Sequence, residues 1–204
     1  GGESCGAELA ALSPIFRTRV APLATGRDAA DPALMASLER TLHNMGRSGP
    51  VLHALSGLDI AIWDLKAKIA GVPLHVLLGG ARRTRLPAYA SLLQYYGDTS
   101  LVARNVERAL AAGFEQVKLH ERTPQAVAAA RGVMGPDMPL MVDANCAWTA
   151  DEADEVVTRM AAFDLHWIEE PLWPPEDIEA LRALRARTGV PTAAGENASS
   201  VHEL

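Results

Sequence analysis

Residues 116–145, QVKLHERTPQAVAAARGVMGPDMPLMVDAN, decide the fold. A short apolar run at 116–119 gives way to Thr123-Pro124, a pair suited to capping and opening a helix. A helix-length amphipathic segment follows, and a second apolar run occupies 140–142. Strand, helix and strand within one such stretch make a βα unit, whose successive strands lie parallel in one sheet.

The same alternation extends in both directions. Strands are predicted at 88–93, 116–119, 140–142, 166–168 and 192–194. Between them Thr99 is placed to cap a helix ending near Gly113, Thr149 with Glu152 makes a capping box, and Pro174-Pro175 precedes a helical run to Gly189. Upstream the character is helical. Asp31-Pro32 reads as an N-cap and first turn, Leu34, Leu38, Leu42 and Met45 share one helical face, and Gly46 ends it. A second helix carries Leu55, Leu58, Ile62, Leu65 and Ile69 as its apolar stripe, with Gly71 and Pro73 as the stop. Asp64 and Lys68 are i,i+4 neighbours expected on the surface, whereas Asp59 borders the stripe and needs a polar partner. The stretch LLGGARRTR at 77–85 reads as a junction, dividing the chain into a helical part, 1–80, and an α/β part, 86–204.

Charged residues fall in step with the strands. Lys118, Asp143, Glu169 and Glu196 are spaced 25, 26 and 27 residues apart, about one βα unit each. Each is thereby expected at the C-terminal end of its own strand, the rim where (β/α)8 barrels carry their active sites. Three carboxylates gathered there raise one another's pKa unless a cation stands between them. All-oxygen ligation without cysteine or histidine favours a hard divalent ion, Mg²⁺ above all, with coordination positions left for water and substrate. Lys118 and His120, two residues apart, point to the same face of the sheet. A lysine in a dry, metal-adjacent cavity has its pKa drawn down toward the working range and a histidine begins near it, so either suits the role of base. Asn145 either donates to a substrate or orients Asp143. Glu170 is expected to face away from Glu169 and enter a structural salt bridge, and Trp148, Trp167 and Trp173 to pack near the rim. Asn145, Glu170 and Asn197 together are grouped as substrate-contacting or ligand-supporting residues.

Composition narrows the partners. With 49% hydrophobic and 22% charged residues, the 204-residue chain can bury a core and falls outside the disordered class. The net charge of -6 is scattered, and no run of lysine and arginine interleaves with aromatics, which excludes a nucleic-acid surface. No apolar stretch reaches the roughly 18 residues of a membrane helix, and the first residues lack the pattern of a signal peptide. Cys5 and Cys146 fit neither a disulfide framework nor a zinc pattern, so a reducing, cytoplasmic setting is expected.

The segment SGLDIAIWDLKAKIAGVPLHVLLGG at 56–80 resembles the signature of the mandelate racemase and muconate lactonizing enzyme family, within the enolase superfamily. VKLH, LMVDAN, WIEEP and AAGEN follow in that family's order and spacing. The resemblance implies a capping α+β domain, of which 1–80 supplies the helical portion, and a modified TIM barrel, of which 86–204 supplies strands one to five. It implies Mg²⁺ held by Asp143, Glu169 and Glu196, with Lys118 neutralising a substrate carboxylate and His120 as base. The implied reaction is removal of a proton alpha to the carboxylate of a small acid through a metal-stabilised enediolate, as in acid-sugar dehydratases, racemases and cycloisomerases. It also implies a homo-oligomer.

Two departures are visible. The family's second-strand motif often ends in a second lysine where this chain has His120, which favours one-base elimination over two-base racemisation. The chain also stops soon after its fifth predicted strand, so that taken alone it is expected to be catalytically incomplete. The rival expectation is a non-catalytic fragment whose open sheet edges are covered by partner chains or further residues.

Overall fold

A computed structural model describes Ala10 and residues 12–203. Cys5 lies outside the described residues. Contacts divide the chain into two compact units, one running to Arg85 and including the segment from Ala198, the other Leu86–Asn197. The second unit is thus shorter at its end than the 86–204 read from the sequence.

In the first unit α1 spans Leu34–Leu42 and α2 spans Gly49–Ala70. Leu34, Leu38 and Leu42 meet Val51, Ala54, Leu55 and Ile62 in a core that Val20 completes. Three expectations are corrected here. Asp31 does not cap α1 directly; its carboxylate accepts from the Ala33 amide at 2.8 Å, a local turn that delays the helix to Leu34. Met45 falls in a short 3-10 turn, His43–Met45, and is exposed. On α2 the stripe fails beyond Ile62, with Leu65 exposed and Ile69 77% exposed. A 22-residue helix is about 33 Å long and the nine-residue α1 about 14 Å, so α1 covers only part of α2. Gly71 ends α2 in the left-handed conformation that glycine adopts without a steric penalty. Lys68 and Asp64 pair at 2.5 Å on the open surface, as their spacing predicts.

The second unit is a five-stranded parallel sheet in the order β1-β2-β3-β4-β5. The strands are β1 (Ala90–Ser91), β2 (Val117–Leu119), β3 (Leu140–Asp143), β4 (Trp167–Glu169) and β5 (Thr192–Ala193). Between them run α3 (Thr99–Ala111), α4 (Pro124–Met134), α5 (Ala150–Met160) and α6 (Ile178–Thr188). Strand order that never reverses is the winding of a barrel, because right-handed crossovers that always step the same way put every helix on one face. A doubly wound sheet would reverse its order and place helices on both. Alternation sorts the side chains accordingly. Val117, Leu119, Leu140, Val142 and Ile168 join the helix-side core, while Lys118, Met141, Asp143, Trp167 and Glu169 take the alternate positions of the other face.

The predicted helix boundaries hold within a few residues. Thr123 caps α4, accepting from the Ala126 amide, and Thr149 with Glu152 closes the capping box of α5. The cap of α3 is corrected from Thr99 to Asp98, whose carboxylate accepts from the amides of Ser100 and Leu101, both at 3.0 Å. At the end of the sheet away from the strand C-termini, Arg131 of α4 donates to the carbonyls of Phe163, Asp164, Gly135 and Met138 at 2.7–2.9 Å. One planar guanidinium thereby fixes the loops that lead into β3 and β4. Arg131→Met leaves those carbonyls without their charged donor and is expected to lower stability by about 3 kcal/mol. Arg131→Lys, lacking the fork, should recover little of it. Urea unfolding of the three proteins measures both differences.

Candidate active site

The β2 strand brings Lys118 onto the face away from the helices, where it is 7% exposed. A buried ammonium is tolerable only if paired and hydrogen-bonded. Its Nζ donates to Asp143 Oδ2 at 3.0 Å and to Glu169 Oε1 at 2.8 Å. Those two acids are register partners on neighbouring strands, so the sheet itself sets them side by side. Nζ also stands 6.0 Å from the centroid of the Tyr89 ring.

Charge and burial oppose each other on Lys118. Burial pulls its pKa down, but hydrogen bonds to Glu169 and Asp143 and their charges outweigh it, and the pKa ends above the ordinary 10.5. Two carboxylates in contact favour its charged form, whereas the lowering expected from the sequence concerns a lysine beside a bound metal. For Glu169 burial pushes the pKa up, yet donation from Lys118 and from Trp167 Nε1, with the lysine's charge, brings it below the ordinary 4.5. The Trp167 bond to Glu169 Oε2 is 2.9 Å long.

Glu196 follows the exit of β5 and, among the described residues, makes no ion pair. Desolvation first, then the charges of Asp143, Glu170 and Glu169, raise its pKa above 4.5 although much of it is open to solvent. Two of the three predicted metal ligands thus share the lysine's ammonium, and the third stands within electrostatic reach, where the charge of Lys118 only partly offsets that of its acidic neighbours. Among the described residues, no three His, Cys, Asp or Glu side chains are grouped closely enough to hold a metal ion. The donor set nevertheless suits a hard divalent ion, being all carboxylate oxygen with more negative charge than one lysine balances.

His120 sits just beyond β2 with its ring half-buried. Its Nδ1 lies 2.5 Å from the carbonyl of Leu92, an acceptor, so the proton belongs on Nδ1. Nε2 is left to take or give a proton, 3.4 Å from Asp143 Oδ2, the same oxygen that Lys118 contacts.

The supporting residues behave differently from their predicted roles. Asn145 serves through its backbone, the amide donating to Asp143 Oδ1 at 3.0 Å, while its side chain is exposed. Glu170 has no salt-bridge partner among the described residues, which corrects that expectation. Buried at 3% exposure, its Oε1 accepts from the amides of Gly195 and Glu196 at 2.6 and 3.0 Å, anchoring the backbone that presents Glu196. Asn197 donates to Cys146 Sγ at 3.7 Å. Burial and the charges of Glu170 and Glu196 push the Cys146 thiol up to about 11, so it stays protonated and inert near neutrality. Trp148 packs in the core as predicted, but Trp173 is largely exposed.

Sequence reading missed Tyr89, Glu121 and the hydrogen bond from Trp167. Trp167 was accessible, since it lies two residues before Glu169 and shares its face. Tyr89 was accessible in the same way, lying two residues before Ser91, the register partner of Lys118, whereas Glu121 carries no signal before the loop after β1 is folded. Backbone conformation marks the same rim independently. Of the five non-glycine residues with positive φ among the described residues, Tyr96, Asn145, Cys146 and Glu170 follow the ends of β1, β3 and β4. Such strain concentrates where surrounding structure enforces a functional geometry.

Comparison with known proteins follows the same division. Residues 2–79 match the family described as mandelate racemase / muconate lactonizing enzyme, N-terminal domain, and residues 101–204 match enolase C-terminal domain-like. The chain is 38% identical over 169 residues to a 3,6-anhydro-alpha-L-galactonate cycloisomerase of Streptomyces coelicolor, covering 80% of this chain and 46% of that protein. It is 38% identical over 167 residues to an L-talarate/galactarate dehydratase of Salmonella typhimurium, covering 78% of this chain and 42% of that one. A crystal structure of a racemase from Streptomyces coelicolor with bound magnesium superposes with a TM-score of 0.85 at 35% identity, covering 93% of this chain and 58% of that chain. The chain therefore spans about half the length of the curated relatives it matches. No described helix is long and apolar enough to cross a membrane.

Lys118→Met removes the one cation between two carboxylates. In protein stripped of divalent ions it is expected to cost about 3 kcal/mol. The sign follows from the two shifts. Glu169 titrates below its ordinary value, so its share is present above pH 4.5 and lost as pH falls through the lowered pKa. Lys118 titrates above its ordinary value, so its share is present below pH 10.5 and lost as pH rises through the raised pKa. Thermal unfolding of wild type and variant across pH should show the largest gap between those limits and a shrinking one outside them.

Proposed function

The chain belongs to the mandelate racemase / muconate lactonizing enzyme family of the enolase superfamily, and on that premise we propose that it acts in removing the proton alpha to the carboxylate of a small acid, with Mg²⁺ as cofactor. In this reading residues 1–80 belong to the family's capping domain and 86–204 to the first five strands of its barrel. The substrate class is an acid sugar or related hydroxy acid, and the outcome dehydration, racemisation or cycloisomerisation. The relatives' names support that range.

One observation carries the proposal: the buried Nζ of Lys118 and the Nε2 of His120 meet at a single oxygen of Asp143. Loss of an alpha proton puts a second negative charge on a group that already carries one, and water stabilises such a dianion poorly. Lys118 opposes that charge as a cation, and its contacts with Asp143 and Glu169 favour its charged form. His120 receives the proton on Nε2, because Leu92 holds the Nδ1 proton and fixes the ring. Asp143, Glu169 and Glu196 would hold Mg²⁺, which supplies Lewis-acid stabilisation of the substrate carboxylate when bound. Glu170 and the Asn145 amide keep Glu196 and Asp143 in place. The superfamily is itself the type case for a Lys or His base working beside Mg²⁺.

The test is exchange of the alpha hydrogen in deuterated water, followed by NMR across a panel of hydroxy acids and acid sugars with Mg²⁺ present. At least one acid is expected to exchange. Chelation should stop it, and His120→Asn should slow it by about 10² to 10⁴. Absence of exchange for every acid would overturn the proposal.

A further inference from the structure

Glu121 is 1% exposed and has no cationic partner among the described residues. A buried carboxylate in that position is costly unless both oxygens are satisfied. Here both are, by backbone. Oε1 accepts from the Tyr95 amide at 2.5 Å and Oε2 from the Gly97 amide at 2.9 Å. The two amides face one anion because the residue between them, Tyr96, is left-handed at φ 55°. A left-handed residue that turns neighbouring N–H groups to the same side forms a concave anion cradle. The strained tyrosine and the buried glutamate are two halves of one arrangement, since neither is stable without the other.

This cradle belongs to the loop after β1, and the same loop holds His120. The Leu92 amide donates to the Lys118 carbonyl at 2.9 Å, and the Leu92 carbonyl accepts from His120 Nδ1. Six residues on, the Asp98 amide donates to the Tyr95 carbonyl and the Asp98 side chain caps α3. Residues 92–98 are thus pinned by consecutive side chains from the exit of β2, His120 at one end and Glu121 near the other. We infer that Glu121 is a positioning residue for His120: by folding residues 95–97 around its carboxylate, it sets the Leu92 carbonyl that fixes the tautomer and orientation of the imidazole.

The inference rests on His120 being the base, as proposed above, but two of its readouts do not depend on activity. In Glu121→Gln one amide faces the carboxamide NH₂ instead of an acceptor. Hydrogen exchange of the Tyr95 and Gly97 amides should accelerate, while amides of β3 and α5 keep their protection. The ¹⁵N shifts of the His120 ring should move from those of a single Nδ1–H tautomer toward a mixture. Alpha-hydrogen exchange should fall roughly 10- to 100-fold in kcat with little change in KM, the size typical for residues that orient a functional side chain. If Glu121→Gln does not fold, Glu121→Asp retains the charge one methylene short, and at least one of the two amides should lose protection along with the ring signal. Unchanged amide protection and an unchanged imidazole spectrum in the folded variant would overturn the inference. If wild type exchanges no acid at all, the proposed function fails, and the amide and imidazole signals still decide the role of Glu121.

Discussion

The ammonium of Lys118, shared between Asp143 and Glu169, is the contact on which the second unit's polar face depends. Parallel strands in unbroken order place three charged side chains side by side in a place with little water. Without the lysine, β3 and β4 would end in two adjacent, partly desolvated carboxylates, and their register would work against the sheet that creates it. With it, the shifts of Lys118 and Glu169 run in the directions of a stabilised ion pair, away from those of isolated buried charges. The same contact determines the chemistry open to the lysine: a group held this firmly in its charged form is suited to balancing charge and poorly suited to accepting protons.

The surrounding rim is built almost entirely from side chains that bind backbone. His120 takes the Leu92 carbonyl, Glu121 the amides of Tyr95 and Gly97, and Glu170 those of Gly195 and Glu196. Each element after a strand end is thus tied to the strand beside it by a residue just past that neighbour's own end. Loops fixed in this way can carry left-handed residues such as Tyr96, Asn145 and Glu170, because the strain is opposed by several hydrogen bonds. Rigid strands with pinned exits hold reacting groups more closely than free loops would.

Much of this was legible in the sequence, and the limits have physical causes. The spacing of Lys118, Asp143, Glu169 and Glu196 follows from the length of a βα unit, so local patterning was enough to place them on successive strands. Thr123, Thr149 and Glu152 were readable as caps because capping is local. Asp98 displaced Thr99 because both are good caps and only the loop's path chooses between them. Leu65 and Ile69 were misassigned because periodicity reports which face is apolar, and not how far the neighbouring helix extends. Glu121 and Glu170 were out of reach or misread for a shared reason. A buried acid is ordinarily expected to meet a cation, and backbone amides from another loop leave no mark in the sequence.

Charge balance connects the lysine contact to the proposed chemistry. Three carboxylates, Asp143, Glu169 and Glu196, face one ammonium, and the pKa of Glu196 is raised first by burial and then by the charges of its acidic neighbours, which Lys118 only partly offsets. Glu170 does not add to the demand for a counter-ion in the same way, since its carboxylate already has two amides. A substrate carboxylate entering the site would widen the imbalance and compete with Asp143 and Glu169 for the same Nζ. In the proposed reading a second cation on the acids would free donor capacity of Lys118 for the substrate. Asp143, Glu169 and Glu196 would hold Mg²⁺ in that reading, and the positive charge it would supply would act on the same acids that Lys118 now serves.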